Sequence, residues 1–181
     1  MKNYEVRHIF MAIGLGILVI SPFLLLPLPT FVATNIHDPQ GWVVILPGKA
    51  YLLYAFGFLF LSASALILFV LNLSKAAKIG SIASLLFSAF FFVSAIQIYT
   101  SLSGESISFR ESLWSDRHSY AWEEVEKVHF NLAADGFPKY EFYFKDGNEL
   151  TFSENGHIRM WRTAIEGELK KHEIEFEKKY N

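Results

Sequence analysis

The stretch IGSIASLLFSAFFFVSAIQIYTSLSG, Ile79–Gly104, decides the fold. It contains no Asp, Glu, Lys or Arg. At a helical rise of ~1.5 Å per residue it is long enough to cross the ~30 Å hydrocarbon core of a bilayer. Two more charge-free runs precede it, Ile9–Pro27 and Ala50–Ser74. After Gly104 the character of the chain reverses and charged residues become frequent. The sequence therefore reads as a membrane protein: three transmembrane α-helices, at about 8–28, 50–73 and 79–100, followed by a small α+β domain. The division falls between a transmembrane region, 1–103, and a soluble region, 104–181.

Charge sharpens that division. Residues 1–103 carry five basic and two acidic side chains, and residues 104–181 carry eleven and sixteen, for a net charge of −2 overall. An acidic C-terminal region is a poor partner for nucleic acid or for an anionic lipid surface, both of which reward basic patches. The chain has no cysteine, so disulfides, thiolate chemistry and Cys-ligated metals are excluded. The first apolar run follows Lys2 and Arg7, as a signal peptide would. It is longer than a usual h-region, however, has Glu5 before it, and runs into Pro22, Pro27 and Pro29, so retention as a membrane helix is expected.

Within the expected helices, Ala12 and Gly16 form a small-xxx-small pair, and Gly80, Ser84 and Ser88 recur at i, i+4 and i+8. Both patterns permit close helix approach. The prolines are expected to kink and end the first helix, leaving a loop over 29–49. In that loop the short apolar segment Trp42–Leu46 is expected to lie at the interface or to pack on the helices, with Trp42 as anchor. The connection Ser74–Lys78 is short enough to make the second and third helices antiparallel neighbours. No charged side chain falls within a span, which argues against an ion pump or a proton-coupled transporter. A linker is expected over Thr100–Gly104.

Beyond the linker the period becomes two. Ile107 and Phe109, then Val128, Phe130 and Leu132, then Tyr140, Phe142 and Phe144, then Leu150 and Phe152 alternate with polar residues, as half-buried antiparallel strands do. Asp146-Gly147 between two of these runs is a hairpin signal. Then the period becomes 3.6: Ile158, Trp161, Ile165, Leu169, His172 and Phe176 fall on one face of a single expected helix, with Ser153 or Asn155 as its cap. The expected core comprises Phe109, Val128, Phe130, Phe142, Phe144, Trp161, Ile165 and Leu169.

About five strands followed by one amphipathic helix is an order similar to that of the bacterial pleckstrin-homology-like (PH-like) domains. The likeness is carried by Ile107–Leu113, the turn at Ser115–His118, the run Tyr120-Ala121-Trp122-Glu123-Glu124-Val125 entering Val128-His129-Phe130, and the hairpin and helix that follow. It covers roughly residues 104–175. The resemblance implies a bent antiparallel sheet capped by a C-terminal helix, joined to transmembrane segments.

No phosphate-binding glycine loop, nucleophile elbow or zinc-protease motif is present in the sequence. The six histidines are scattered, and are expected to be solvent-exposed or capping rather than metal ligands. Neither a catalytic residue, a cofactor nor a small-molecule substrate is expected. Arg110, Arg117 and His118 sit where the resemblance implies a headgroup site, but Glu111 and Asp116 neutralise them. The candidate interaction residues are thus Gly80, Ser84 and Ser88 on the helix seam and Arg110 and Arg117 beside the first hairpin. The expected function is a non-enzymatic integral membrane protein whose PH-like module binds another protein in the same membrane. Two alternatives stand beside it: a small accessory or protective subunit of a membrane complex working through its helix seam, and a membrane-face enzyme, for which His37 and Asp38 alone offer clustered ionisable groups. Lys2, Arg7, Lys75 and Lys78 beside the spans favour a cytoplasmic N-terminus and an extracytoplasmic C-terminal domain in the cell membrane.

Overall fold

The computed structural model describes residues 5–37, 42–132 and 136–180. Three of its helices are long and apolar enough to cross a membrane: α1 (Val6–Leu24), α3 (Gly48–Val70) and α4 (Lys75–Ile96), of 19, 23 and 22 residues. Between the first two lie α2 (Pro27–His37) and a short strand, β1 (Val43–Ile45). The helices bear large exposed apolar side chains, among them Val19, Phe23, Ile79 and Leu86.

Two sequence expectations change here. Pro22 lies inside α1, which runs to Leu24, and Pro27 and Pro29 then open α2 where a loop was expected. Proline is suited to the first turn of a helix, where its missing N–H has no intrahelical acceptor to serve. Of the expected 29–49 loop, Asp38, Pro39 and Gly41 lie outside the described residues. The segment Trp42–Leu46 is not irregular loop: its centre is β1, with Val43 and Val44 buried.

The chain divides into two compact units. The helical unit takes in Ala33 and the described residues before it, Leu46–Tyr99 and Glu111–Trp114. The sheet unit takes in the described residues of 34–45, Thr100–Arg110 and the described residues from Ser115 onward. A boundary at 103/104, as the charge pattern suggests, would sever the sheet unit's first two strands from the rest.

The sheet unit contains two four-stranded sheets. The first has the order β1, β2 (Tyr99–Leu102), β3 (Ser106–Arg110), β4 (His118–Ala121). The expected linker is thus mostly strand, and β2 pairs antiparallel with β1, Val43 opposite Leu102 and Ile45 opposite Thr100. A 3₁₀ turn, Trp122–Glu124, leads into the second sheet: β5 (Val125–Leu132), β6 (Lys139–Phe144), β7 (Glu149–Ser153) and β8 (Glu175–Tyr180), ordered β7-β6-β5-β8. The Asp146-Gly147 turn joins β6 to β7 as expected, with Gly147 at φ 87°, a value that favours glycine.

The single expected C-terminal helix is two helices and a strand. Asn155 caps the first, α5 (Gly156–Arg159), by accepting the N–H groups of His157 and Ile158. The second is α6 (Arg162–Lys171). It stops because Glu173 takes a left-handed conformation, φ 54°. Ile174 N–H then returns to Leu169 C=O at 2.9 Å and Glu173 N–H to Lys170 C=O at 3.3 Å, a Schellman ending. Phe176 therefore belongs to β8, which runs parallel to β5, so the second sheet is mixed rather than purely antiparallel.

One core serves both sheets. It joins Leu102, Ile107, Phe109, Tyr120 and Trp122 to Val128, Phe130, Tyr140, Phe142 and Phe144, closed by Ile158, Ile165 and Leu169. Tyr120 stacks on Phe144 at a ring separation of 3.9 Å. All eight expected core residues lie in or against this cluster, Trp161 only partly buried.

Candidate functional site

On the helix seam, Ser84 and Ser88 are buried and Gly80 is half-buried. Ser88 Oγ donates to the Gly57 carbonyl at 2.8 Å, and Ser81, one position from Gly80, pairs with Ser64 at 2.9 Å between hydroxyl oxygens. Those partners are all on α3. The serine stripe is therefore occupied within the chain: it fastens α4 to α3, because a hydroxyl in an apolar setting needs a partner and a neighbouring helix supplies one. The small-residue contact of α1 is shifted from the expected pair. Ala12 is exposed and Gly16 has open space, whereas Ser62 Oγ of α3 donates to Gly14 C=O at 2.8 Å. A Cβ at Gly14 would lie 2.7 Å from the Leu66 side chain.

Arg110 and Arg117 flank the same turn but do different things. Arg110 Nε donates to the Ser115 carbonyl at 2.9 Å and closes the turn between β3 and β4. Arg117 is exposed and lines a groove of about 430 Å³ in the sheet unit. His37 from the end of α2, Ser103 and Glu105 from the β2–β3 turn, and Ser106, Ser108 and Ser119 complete its polar lining. The antiparallel register of β3 and β4 sets Ser108 opposite Ser119, and their hydroxyls lie 2.9 Å apart. Ser103 Oγ donates to the Ser106 carbonyl at 3.0 Å and accepts the Ser106 N–H at 3.0 Å. Gly104 permits this turn to close over Trp42, whose ring would stand 3.2 Å from any added Cβ.

A lining of hydroxyls, one guanidinium, one imidazole and one carboxylate offers donors and acceptors of both signs. The charges nearly cancel, because Glu105 offsets Arg117. The sequence pointed to Arg117 but not to the serines, which come from separate turns and strands. Ser103 and Ser106 flank a turn and read as turn chemistry; only the strand pairing brings Ser119 to Ser108.

The other polar clusters hold the fold. Glu154, 4% exposed, receives Arg162 in a two-point pair, Nε to Oε1 at 2.7 Å and Nη2 to Oε2 at 2.5 Å, and this bonding raises the affinity of Arg162 for its proton. Tyr140 beside them is pushed up to about 12, first by burial and then by the Glu154 carboxylate. Tyr120 Oη donates to Asp146 at 2.6 Å and accepts from Asn148 at 2.7 Å. The Tyr120 hydroxyl holds the Asp146 carboxyl below its usual range, while burial leads in raising Tyr120. His129 is not solvent-exposed as expected: it lies in a cross-strand row with Glu141 on β6 and Glu177 on β8. His172, at the end of α6, faces Glu123 at 3.1 Å and Glu168 at 3.3 Å. Among the described residues no group of three or more His, Cys, Asp or Glu is placed to hold a metal ion.

Neither protein-family models nor curated proteins give a match to this chain.

Proposed function

We propose that the chain is an integral membrane protein in which α1, α3 and α4 span the bilayer and the sheet unit is a PH-like, non-enzymatic module that docks another protein of the same membrane. The observation that carries this reading is the β1–β2 ladder. Strands on either side of the α3–α4 pair are hydrogen-bonded to each other, Val44 opposite Ser101. Two spans that leave and return to one face satisfy that pairing. The chain thus contributes to the first sheet both before α3 and after α4.

Two sheets around one core with a helix after the seventh strand support the PH-like assignment, while the parallel β8 is an addition to that pattern. The polar groove beside Arg117 is the docking surface, and its mixed charge favours a polar protein segment. The accessory-subunit alternative would have to work through a seam in which Ser88 is already bonded to α3. A photo-crosslinking side chain at Ser119, compared with one at Ile82 on α4, separates the two. Adducts with a membrane protein from position 119 are expected, and adducts from position 82 alone would overturn the module reading.

The N-terminus and the α3–α4 turn carry Lys2, Arg7, Lys75 and Lys78, so we place them in the cytoplasm and the sheet unit outside. Protease added to intact cells should then digest the sheet unit. Survival until permeabilisation would reverse the orientation.

A further inference from the structure

Three of the four tryptophans gather in the sheet unit: Trp122 is buried in the core, and Trp42 and Trp161 pack against it, stacked on each other at 6.4 Å. The fourth, Trp114, is 84% exposed, the largest value among the exposed large hydrophobic residues described. It lies in the turn between β3 and β4, yet Glu111–Trp114 belongs to the helical unit and not with the strands it connects. Arg110 bonds across to Ser115 and closes the chain around this turn. A large amphipathic ring is thus presented on a short, fastened turn, grouped with helices of membrane-crossing length.

We propose that Trp114 is an interfacial anchor that seats the β3–β4 turn in the headgroup region of the bilayer. The inference rests on the membrane reading above. Tryptophan favours that depth because its ring is apolar and its N–H finds partners there. Arg110 and Arg117 stand against Glu111 and Asp116, so the turn carries no net charge. The anchor therefore works through the ring and not through attraction to anionic lipid, and its immersion is insensitive to salt.

The chain has no native cysteine, so a single spin label reports one position. Full-length protein is reconstituted in phosphatidylcholine vesicles with labels at Ser112→Cys, in the same turn with Trp114 left in place, at Ile82→Cys on an exposed position of α4, and at Lys170→Cys on an exposed position of α6. The ratio of collision with oxygen to collision with a water-soluble nickel chelate measures depth. The expected order is Ile82 highest, position 112 several-fold above Lys170, and no change at position 112 with salt or with anionic lipid. If Ile82 reads as immersed while position 112 matches Lys170, the anchor is refuted and the membrane reading stands. If Ile82 itself reads as wet, both fall. Quenching of the native fluorescence by brominated lipid, lost in Trp114→Phe, gives a second measure that needs no label; undiminished quenching in that variant would also refute the anchor.

Discussion

Removing one partner of the Glu154–Arg162 pair should cost very different amounts depending on which is removed. The Glu154 side chain is 2% exposed and that of Arg162 is 34% exposed. Arg162→Met keeps an apolar stem but leaves a sealed carboxylate with no counter-charge. Breaking a buried pair in this way costs about 3–5 kcal/mol. The open side of Arg162 lets some water reach the vacated site, which places the expected loss near the lower bound, about 3 kcal/mol. Glu154→Gln keeps volume and one acceptor, and leaves a guanidinium that can turn to solvent and still lies 5.0 Å from the Phe130 ring. Its expected cost is about 1.5 kcal/mol, the lower bound for a lost charged hydrogen bond, because the amide still accepts from the guanidinium. The double variant should recover part of the Arg162→Met loss, since no unpaired charge remains. The assay is denaturant unfolding of the full chain in detergent, followed by the fluorescence of Trp42, Trp122 and Trp161. Equal losses for the two single variants, or an Arg162→Met loss below about 1 kcal/mol, would refute the argument that the sealed carboxylate sets the cost.

Three further outcomes are expected. Val43→Asp places a carboxylate at a position 3% exposed, and should unfold the sheet unit by several kcal/mol although it lies between the helices in sequence; limited proteolysis within residues 115–180 reads this out. Gly57→Ala brings a Cβ 2.8 Å from the Phe92 ring and Gly14→Ala meets Leu66, so each should lower the melting temperature in detergent, by overpacking of about 1–3 kcal/mol, whereas Gly16→Ala, with open space around it, should not. Tyr140 titrates at about 12 in the folded chain against 10.0 for the free side chain, so the folded state holds its proton longer. Its contribution to stability is intact below 10 and is lost as pH rises through about 12. Tyr140→Phe should flatten that alkaline loss, as measured by unfolding across the same window.

The three long apolar helices and most of the strands were legible because their signals are local: absence of charge over a span, or strict alternation over five or six residues. The elements that escaped are fixed by distant partners. Val43–Ile45 is a short apolar run, and nothing nearby distinguishes an interfacial segment from a strand whose mate lies beyond two helices. Tyr99–Leu102 ends an apolar run in Thr and Ser, a composition that reads as a linker when the strand partner is not in view. The end of α6 carries no glycine, since Glu173 takes the left-handed position itself, so the 3.6-residue pattern runs on in sequence as far as Phe176. In the groove, Arg117 was visible as a charge, while the serines acquire meaning only through the register of β3 and β4. Pairing of Glu154 with Arg162 was likewise hidden, because the short helix α5 and a turn separate them.

The position of β1 dictates an order of events during synthesis. This strand leaves the ribosome before α3 and α4, and its mate β2 follows them. Until that long loop is closed, β1 is an edge with nothing beside it, and closure carries the entropic cost of joining residues far apart in the chain. Three residues is a short edge, which limits mispairing with other chains during the wait. The first sheet can therefore be completed only after α3 and α4 have been made, so the two helices between its first strands set the time at which that sheet can close.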